Sequence, residues 1–152
     1  MSEITFRDAT AADVATIVAM LADDTLGAGR ETVSDPPLPA YLAAFEAIAA
    51  NPLDHLVVAV VDARVVGCAQ LTVLSGMSRR GARRGLIEGV RVSSAVRSGG
   101  VGQALIERLI ELARAEGCGM VQLTSDMSRT RAHRFYERLG FKGSHLGMKM
   151  EL

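Results

Sequence analysis

The chain has 152 residues, 49% of them hydrophobic, which suits one compact domain over 1–152 with a real core. Its 17 basic and 17 acidic residues cancel, so no global field draws it to nucleic acid or to an anionic membrane, and no apolar run has the length that spans a bilayer. The opening "MSEITFRDAT" lacks the apolar segment of a secretory leader, and Cys68 and Cys118 stand apart without CxxC spacing, so a cytoplasmic protein with reduced thiols is expected.

"EITFRDAT" alternates apolar and polar residues, which predicts a short strand over 3–7. Asp8 or Thr10 can cap a helix from about Ala11 to Asp24. After the loop "LGAGRETVSDPPLP", Pro39 suits the first turn of a second helix reaching about Ala50. "HLVVAVVDARVVGCAQLTVL" reads as a hairpin turning near Asp62–Arg64, followed by a polar loop, "SGMSRRGARR", and another strand, "GLIEGVRVS". A long helix then runs to Gly117, with Leu105, Ile106, Leu109, Ile110 and Leu112 at helical spacing. Strand "MVQLTSD", helix "RTRAHRFYERLG" closed by Gly140, and a final alternating strand "SHLGMKMEL" complete the chain, with Met148 and Met150 expected as core fillers. The order β-α-α-β-β-β-α-β-α-β predicts a mixed α/β (α+β) fold, a largely antiparallel sheet flanked by helices.

The long helix opens in an unusual way. Gly99, Gly100 and Gly102 crowd its N-terminus, and Arg97 stands just before them. A helix start exposes unpaired amides and the positive end of the dipole, so an anion is favoured there. Glycines keep side chains out of its way, and the Arg97 fork matches phosphate oxygens. A tight turn needing positive φ explains the same glycines without a ligand. No GxxxxGK(S/T) run is present, and Gly100-x-Gly102 lacks the third glycine of a dinucleotide fingerprint.

Arg97-x-x-Gly100-x-Gly102 resembles the Q/R-x-x-G-x-G/A signature of the GNAT superfamily of N-acetyltransferases. "AHRFYERLGF", Ala132 to Phe141, is similar to that family's other well-marked segment, and "FRDATAADVATI" to its first strand and helix. The resemblance covers essentially the whole chain, in order. It implies acetyl-CoA as co-substrate, with its pyrophosphate on the amides of Arg97, Ser98, Gly99, Gly100, Val101 and Gly102 and its pantetheine beside Val90, Arg91 and Val92. A free amide near Val92 would stabilise the thioester oxygen as an oxyanion. In the last motif it implies contacts from Ala132 and Tyr136. Family members often carry an Asn one turn into that motif; Arg129 stands there instead, beside Ser128, and either could make the contact.

The implied reaction moves an acetyl group to the primary amine of a small molecule by direct attack on the thioester. An alkyl amine is protonated near neutral pH and needs a base. Glu88, in the apolar strand "LIEGV", is the candidate, and strict alternation would put Glu88, Val90 and Val92 on one face. An ion pair with a nearby arginine is the plainer role for it. Tyr136 matches the position where the family has an acid for the leaving thiolate. His133, one turn earlier, is either a surface residue or an aid to positioning, and His55 and His145 have no metal-ligand spacing, so no metal is expected. Arg79, Arg80, Arg83 and Arg84 form a basic loop suited to solvent, an acidic acceptor, the adenosine phosphate or RNA, although few aromatics (4%) and zero net charge speak against nucleic acid. A protein or peptide acetyltransferase and a non-catalytic acyl-CoA-binding module are the alternatives, and a homodimer is compatible with each.

Overall fold

The computed structural model describes residues 2–97 and 99–152; Ser98, expected in the anion cradle, lies outside the described residues. Five strands form one sheet in the order β1-β2-β3-β4-β5: β1 (Thr5–Asp8), β2 (Asp54–Val61), β3 (Arg64–Leu74), β4 (Arg83–Val92) and β5 (Cys118–Leu123). The first four are antiparallel to their neighbours, and β5 runs parallel to β4. The helices are α1 (Val14–Ala22), α2 (Pro39–Ala50), the single turn α3 (Ser78–Gly81), α4 (Val101–Ala115) and α5 (Thr130–Arg138).

Why β2 and β3 read as near-continuous apolar runs is explained by burial on both faces. Leu105, Ile106, Leu109 and Ala113 of α4 recur on one stripe and pack on Val57, Ala59, Ala69, Leu71 and Ile87. On the opposite face Ile17 and Met20 of α1 cover Val58 and Cys68. The β2–β3 hairpin turns through Asp62 and Ala63, both at positive φ (48° and 63°), as a two-residue turn with the twist of its strands requires.

The expected last strand does not form. Residues 144–152 carry no strand, and Leu146, Met148, Met150 and Leu152 are exposed, so Met148 and Met150 fill no core. Alternation supplies a face but not a ladder; a strand needs a neighbour's main chain, and none pairs with this segment among the described residues.

The first helix is pinned at its start. Thr10 caps the short 3-10 turn Ala11–Asp13 that leads into α1. Asp13 Oδ2 accepts the Thr10 amide at 2.7 Å, and the Arg7 guanidinium grips both carboxylate oxygens at 2.6 and 3.0 Å. Arg7 first, then the Thr10 amide and hydroxyl, hold the Asp13 carboxyl at about 2 against the opposing effect of burial. A carboxylate with a lowered folded value stabilises above its unfolded value near 3.8 and loses that contribution as pH falls through about 2. Asp13→Asn should therefore cost about 2 kcal/mol at pH 7, a fall in Tm of about 4–8 °C. In a pH series of thermal melts the gap from wild type should narrow below about pH 4 and close near pH 2.

Candidate active site

The site grows out of a mismatch between the two parallel strands. β5 pairs with β4 from Arg83↔Cys118 to Ile87↔Leu123 and then ends. β4 continues to Val92, still paired with β3 on its other side through Glu88↔Gln70, Arg91↔Cys68 and Val92↔Gly67. From Glu88 to Val92 the edge of β4 that faces β5 has no strand partner. Val90 O accepts from Arg91 Nη1 at 2.9 Å and Val92 O from Arg97 Nε at 3.3 Å, and main-chain groups without a strand partner are available to an extended polar ligand.

A bulge lies inside this free stretch. Ala69 of β3 stands opposite two residues of β4, Gly89 and Val90, and Gly89 is exposed at φ +60° with open space where a Cβ would be. An extra residue resets the alternation. The expected common face of Glu88, Val90 and Val92 is therefore wrong. Glu88 and Arg91, opposite Gln70 and Cys68, share the face covered by α1, while Val90 and Val92 pack into the core beneath α4. Glu88 is exposed and has no ion pair among the described residues.

The arginines of this region pair with the end of α1 instead. Arg91 Nε lies 3.3 Å from Asp24 Oδ2, both largely buried, as a charge contact without hydrogen-bond alignment. Burial opposes the Asp24 charge, but the Gly27 amide and the arginines outweigh it and hold that carboxyl below its usual range. Asp23 meets Arg97: Nη2 donates to the Asp23 carbonyl at 3.1 Å and lies 3.5 Å from its carboxylate, while Nε donates to Val92 O at 3.3 Å. Two adjacent aspartates thus clasp the bulged strand and the loop before α4.

Each glycine of that loop has a separate reason. Gly100 caps α4 in the left-handed region, φ +82°, with open space at its Cβ position. A Cβ on Gly99 would stand 3.0 Å from Val96 O, and one on Gly102 would touch Phe135 Cζ at 3.4 Å and Val92 Cγ2 at 3.5 Å. The first helical bond runs from the Ala104 amide to Gly100 O, so the amides of Val101, Gly102 and Gln103 precede the ladder. Val101's side chain is buried in the core, leaving only its main chain to the site.

On α5, Tyr136 is half-buried, edge-on to Phe135 and Phe141 at 5.2 and 5.8 Å between centroids. Burial raises its pKa against the pull of Arg129 and Arg91, so the phenol keeps its proton at neutral pH. Half-buried Ala132 lies one turn earlier, and Arg129 caps the helix. Ser128 is engaged locally, its hydroxyl and amide both donating to Asp126 Oδ1 at 2.6 and 2.9 Å. His133 Nε2 stands 2.8 Å from Asp126 O, which ties down the same loop.

The basic loop lies at the other end of β4, roughly 30 Å along the strand from its C-terminus. Arg83 donates to Glu116 O and Arg84 to Gln122 Oε1, so two of the four cations are engaged in the fold. Both cysteines are free, and burial pushes the Cys68 thiol up to about 12. No helix among the described residues is long and apolar enough to cross a membrane.

The signals behind what sequence reasoning missed are unequal. Gly89, in mid-strand, is the pattern of a bulge and was there to be read. The clasp of Asp23 and Asp24 has no local signal, because its partners lie some seventy residues away in the chain.

A mixed sheet whose parallel strands part beside a glycine-capped helix defines an N-acetyltransferase of the GNAT class. The chain belongs to the acetyltransferase (GNAT) family, which it matches over residues 18–141. A glucosamine 6-phosphate N-acetyltransferase 1 of Oryza sativa subsp. japonica is 34% identical over 81% of this chain and 76% of its own length. A glucosamine 6-phosphate N-acetyltransferase of Trypanosoma brucei brucei is 38% identical over 59% of this chain, which spans 58% of that protein. A solved structure described as a transcriptional regulator from Bacillus halodurans C-125 superposes with a TM-score of 0.96 at 43% identity, covering 99% of this chain and all of the other.

Proposed function

We propose that the chain, as one domain over 1–152, transfers the acetyl group of acetyl-CoA to the primary amine of a small molecule in the cytoplasm. The observation that carries this reading is the unpaired stretch of β4 from Glu88 to Val92, leading straight to the glycine-capped start of α4. Val90, Arg91 and Val92 offer main chain to the pantetheine, and the amides of 97–102, Ser98 included, take the pyrophosphate. Val101 acts only through its amide. Arg97 shifts its guanidinium from Asp23 to the phosphates, because an exposed pair at 3.5 Å costs little to break. Arg129, at the head of α5, serves the arm better than Ser128, whose hydroxyl is held by Asp126.

Acetyl-CoA supplies the activated acyl carbon, and the chain supplies protons and positions. Glu88 takes the proton of the amine on the α1 face of the sheet. The nitrogen bonds to the carbonyl carbon, and a main-chain amide of the open β4 edge holds the oxyanion. The C–S bond breaks, the Tyr136 hydroxyl gives its proton to the departing sulfur, and its phenolate takes the second proton of the nitrogen, leaving an amide and free CoA. The small volume beneath α1 and α2, about 140 Å³, supports a small acceptor over a peptide, which needs a long groove. The two relatives' names make glucosamine 6-phosphate the first acceptor to assay. The exposed tail apolars and the free outer edge of β5 support a homodimer.

The cofactor assignment is tested by thermal shift. Acetyl-CoA should raise the Tm of the wild type and of Gly100→Asn, since Asn tolerates the left-handed cap, but not that of Gly100→Glu, which sets a negative charge in the cradle. Equal stabilisation of a folded Gly100→Glu protein would refute the cradle. Glu88→Gln should lower kcat/KM most below the amine's own pKa and progressively less above it, where free amine needs no base. A loss that is the same at every pH would speak for a structural Glu88. Tyr136→Phe keeps the ring and its aromatic contacts, so Tm and acetyl-CoA affinity should hold while kcat falls on the order of ten- to a thousand-fold. Full turnover in that variant would assign the acid to water or to another group.

A further inference from the structure

Between α1, α2 and the sheet lies a cavity of about 140 Å³ whose guest the chemistry above names only as a small amine. It reaches Gly89, the residue that makes the β4 bulge, and Gln70, which faces Glu88 across the strands. Its other walls are apolar, chiefly Ile17 of α1 with Phe45 and Ile48 of α2. Tyr41 contributes its ring alone, because its hydroxyl is taken by the loop between the helices: it accepts the Thr32 amide and donates to Glu31 Oε1, each at 3.0 Å. Cys68, also in the wall, is an un-ionised thiol at neutral pH. The packing of α2 fits a wall better than a core element, since none of its twelve residues is fully buried.

We infer that this cavity is the acceptor subsite and that the acceptor is an apolar primary amine, its nitrogen at Gly89 and Glu88 and its hydrocarbon part inside. The inference rests on acetyl transfer at the bulge and adds the substrate class. Size sets the limit: a volume of about 150 Å³ takes a guest the size of benzene, so one phenyl ring or about four to six alkyl carbons fit here. Polarity sets the chemistry. A sugar phosphate would bring several hydroxyls and a dianion against walls whose free polar group is the Gln70 amide, and unpaired polar groups in such a place are costly. The driving force for a hydrocarbon is the removal of its surface from water.

The test is a panel of n-alkylamines from two to eight carbons, with phenethylamine and glucosamine 6-phosphate, assayed by thiol release from acetyl-CoA. Specificity, kcat/KM, should rise roughly fourfold per methylene and level off at about five or six carbons. Phenethylamine should exceed glucosamine 6-phosphate at least about tenfold. Ala44→Leu, which fills the cavity from half-packed α2, should move the break to shorter amines; Phe45→Ala should move it to longer ones; neither should alter the KM for acetyl-CoA. A specificity independent of chain length, or glucosamine 6-phosphate preferred to every apolar amine, would overturn the apolar subsite and leave the acetyltransferase reading standing. If no amine is acetylated, phenethylamine binding decides. A rise in Tm that Ala44→Leu abolishes keeps the cavity as an amine site and removes the transfer step, and no rise overturns the inference.

Discussion

The candidate site in this fold depends on two parallel strands that pair for only part of their length. β4 and β5 share main-chain bonds as far as Ile87 and Leu123, beneath a core of Leu105, Ile106 and Leu109 that holds the sheet together. Beyond that point β4 has a strand partner on one side only, β3, and on that stretch Val90 O and Val92 O accept from the side chains of Arg91 and Arg97. An unpaired edge is a liability in most sheets, because it invites another strand. Here Glu88 and Gly89 on that edge are exposed, while Val90, Arg91 and Val92 are half-buried. Tyr136 of α5 packs its ring against the same core, and burial keeps its phenol protonated.

The bulge at Gly89 divides the labour between the two faces. Without it, alternation would keep Glu88 on one side with Val90 and Val92, and the hydrocarbon packing under α4 would have to accept a carboxylate. With one extra residue, the apolar pair stays in the core and the charged residues Glu88 and Arg91 turn towards α1. That face then needs its charges balanced, and Asp23 and Asp24 at the end of α1 do so for Arg97 and Arg91. The end of α1 is thus joined to β4 and to the loop before α4 through two ion pairs, and the Asp24 carboxylate also holds the Gly27 amide.

Much of this was legible in the chain itself. The α4 stripe, the hairpin, the Pro39 start of α2 and the caps at Thr10 and Gly140 all rest on interactions within one turn or one strand, which local pattern records. Gly100 was legible as well, because a left-handed cap demands its residue type wherever it occurs. The face of Glu88 was misjudged, since a single inserted residue inverts alternation and only the register with β3 reveals the insertion. Met148 and Met150 were misjudged for a related reason: an alternating segment is equally consistent with a core strand and with one that has found no partner.

The sequence by itself determined the order of elements from β1 to α5 and the glycine-crowded start of α4, because these follow from propensity, spacing and motif. Tertiary structure alone decided where β5 stops pairing, which face the charges of β4 occupy, that Asp23 and Asp24 meet arginines about seventy residues on, and that an apolar hollow lies beside the bulge. Those features depend on distances between segments remote in the chain. No local free energy encodes such distances; they emerge when the two cores close on opposite faces of one twisted sheet.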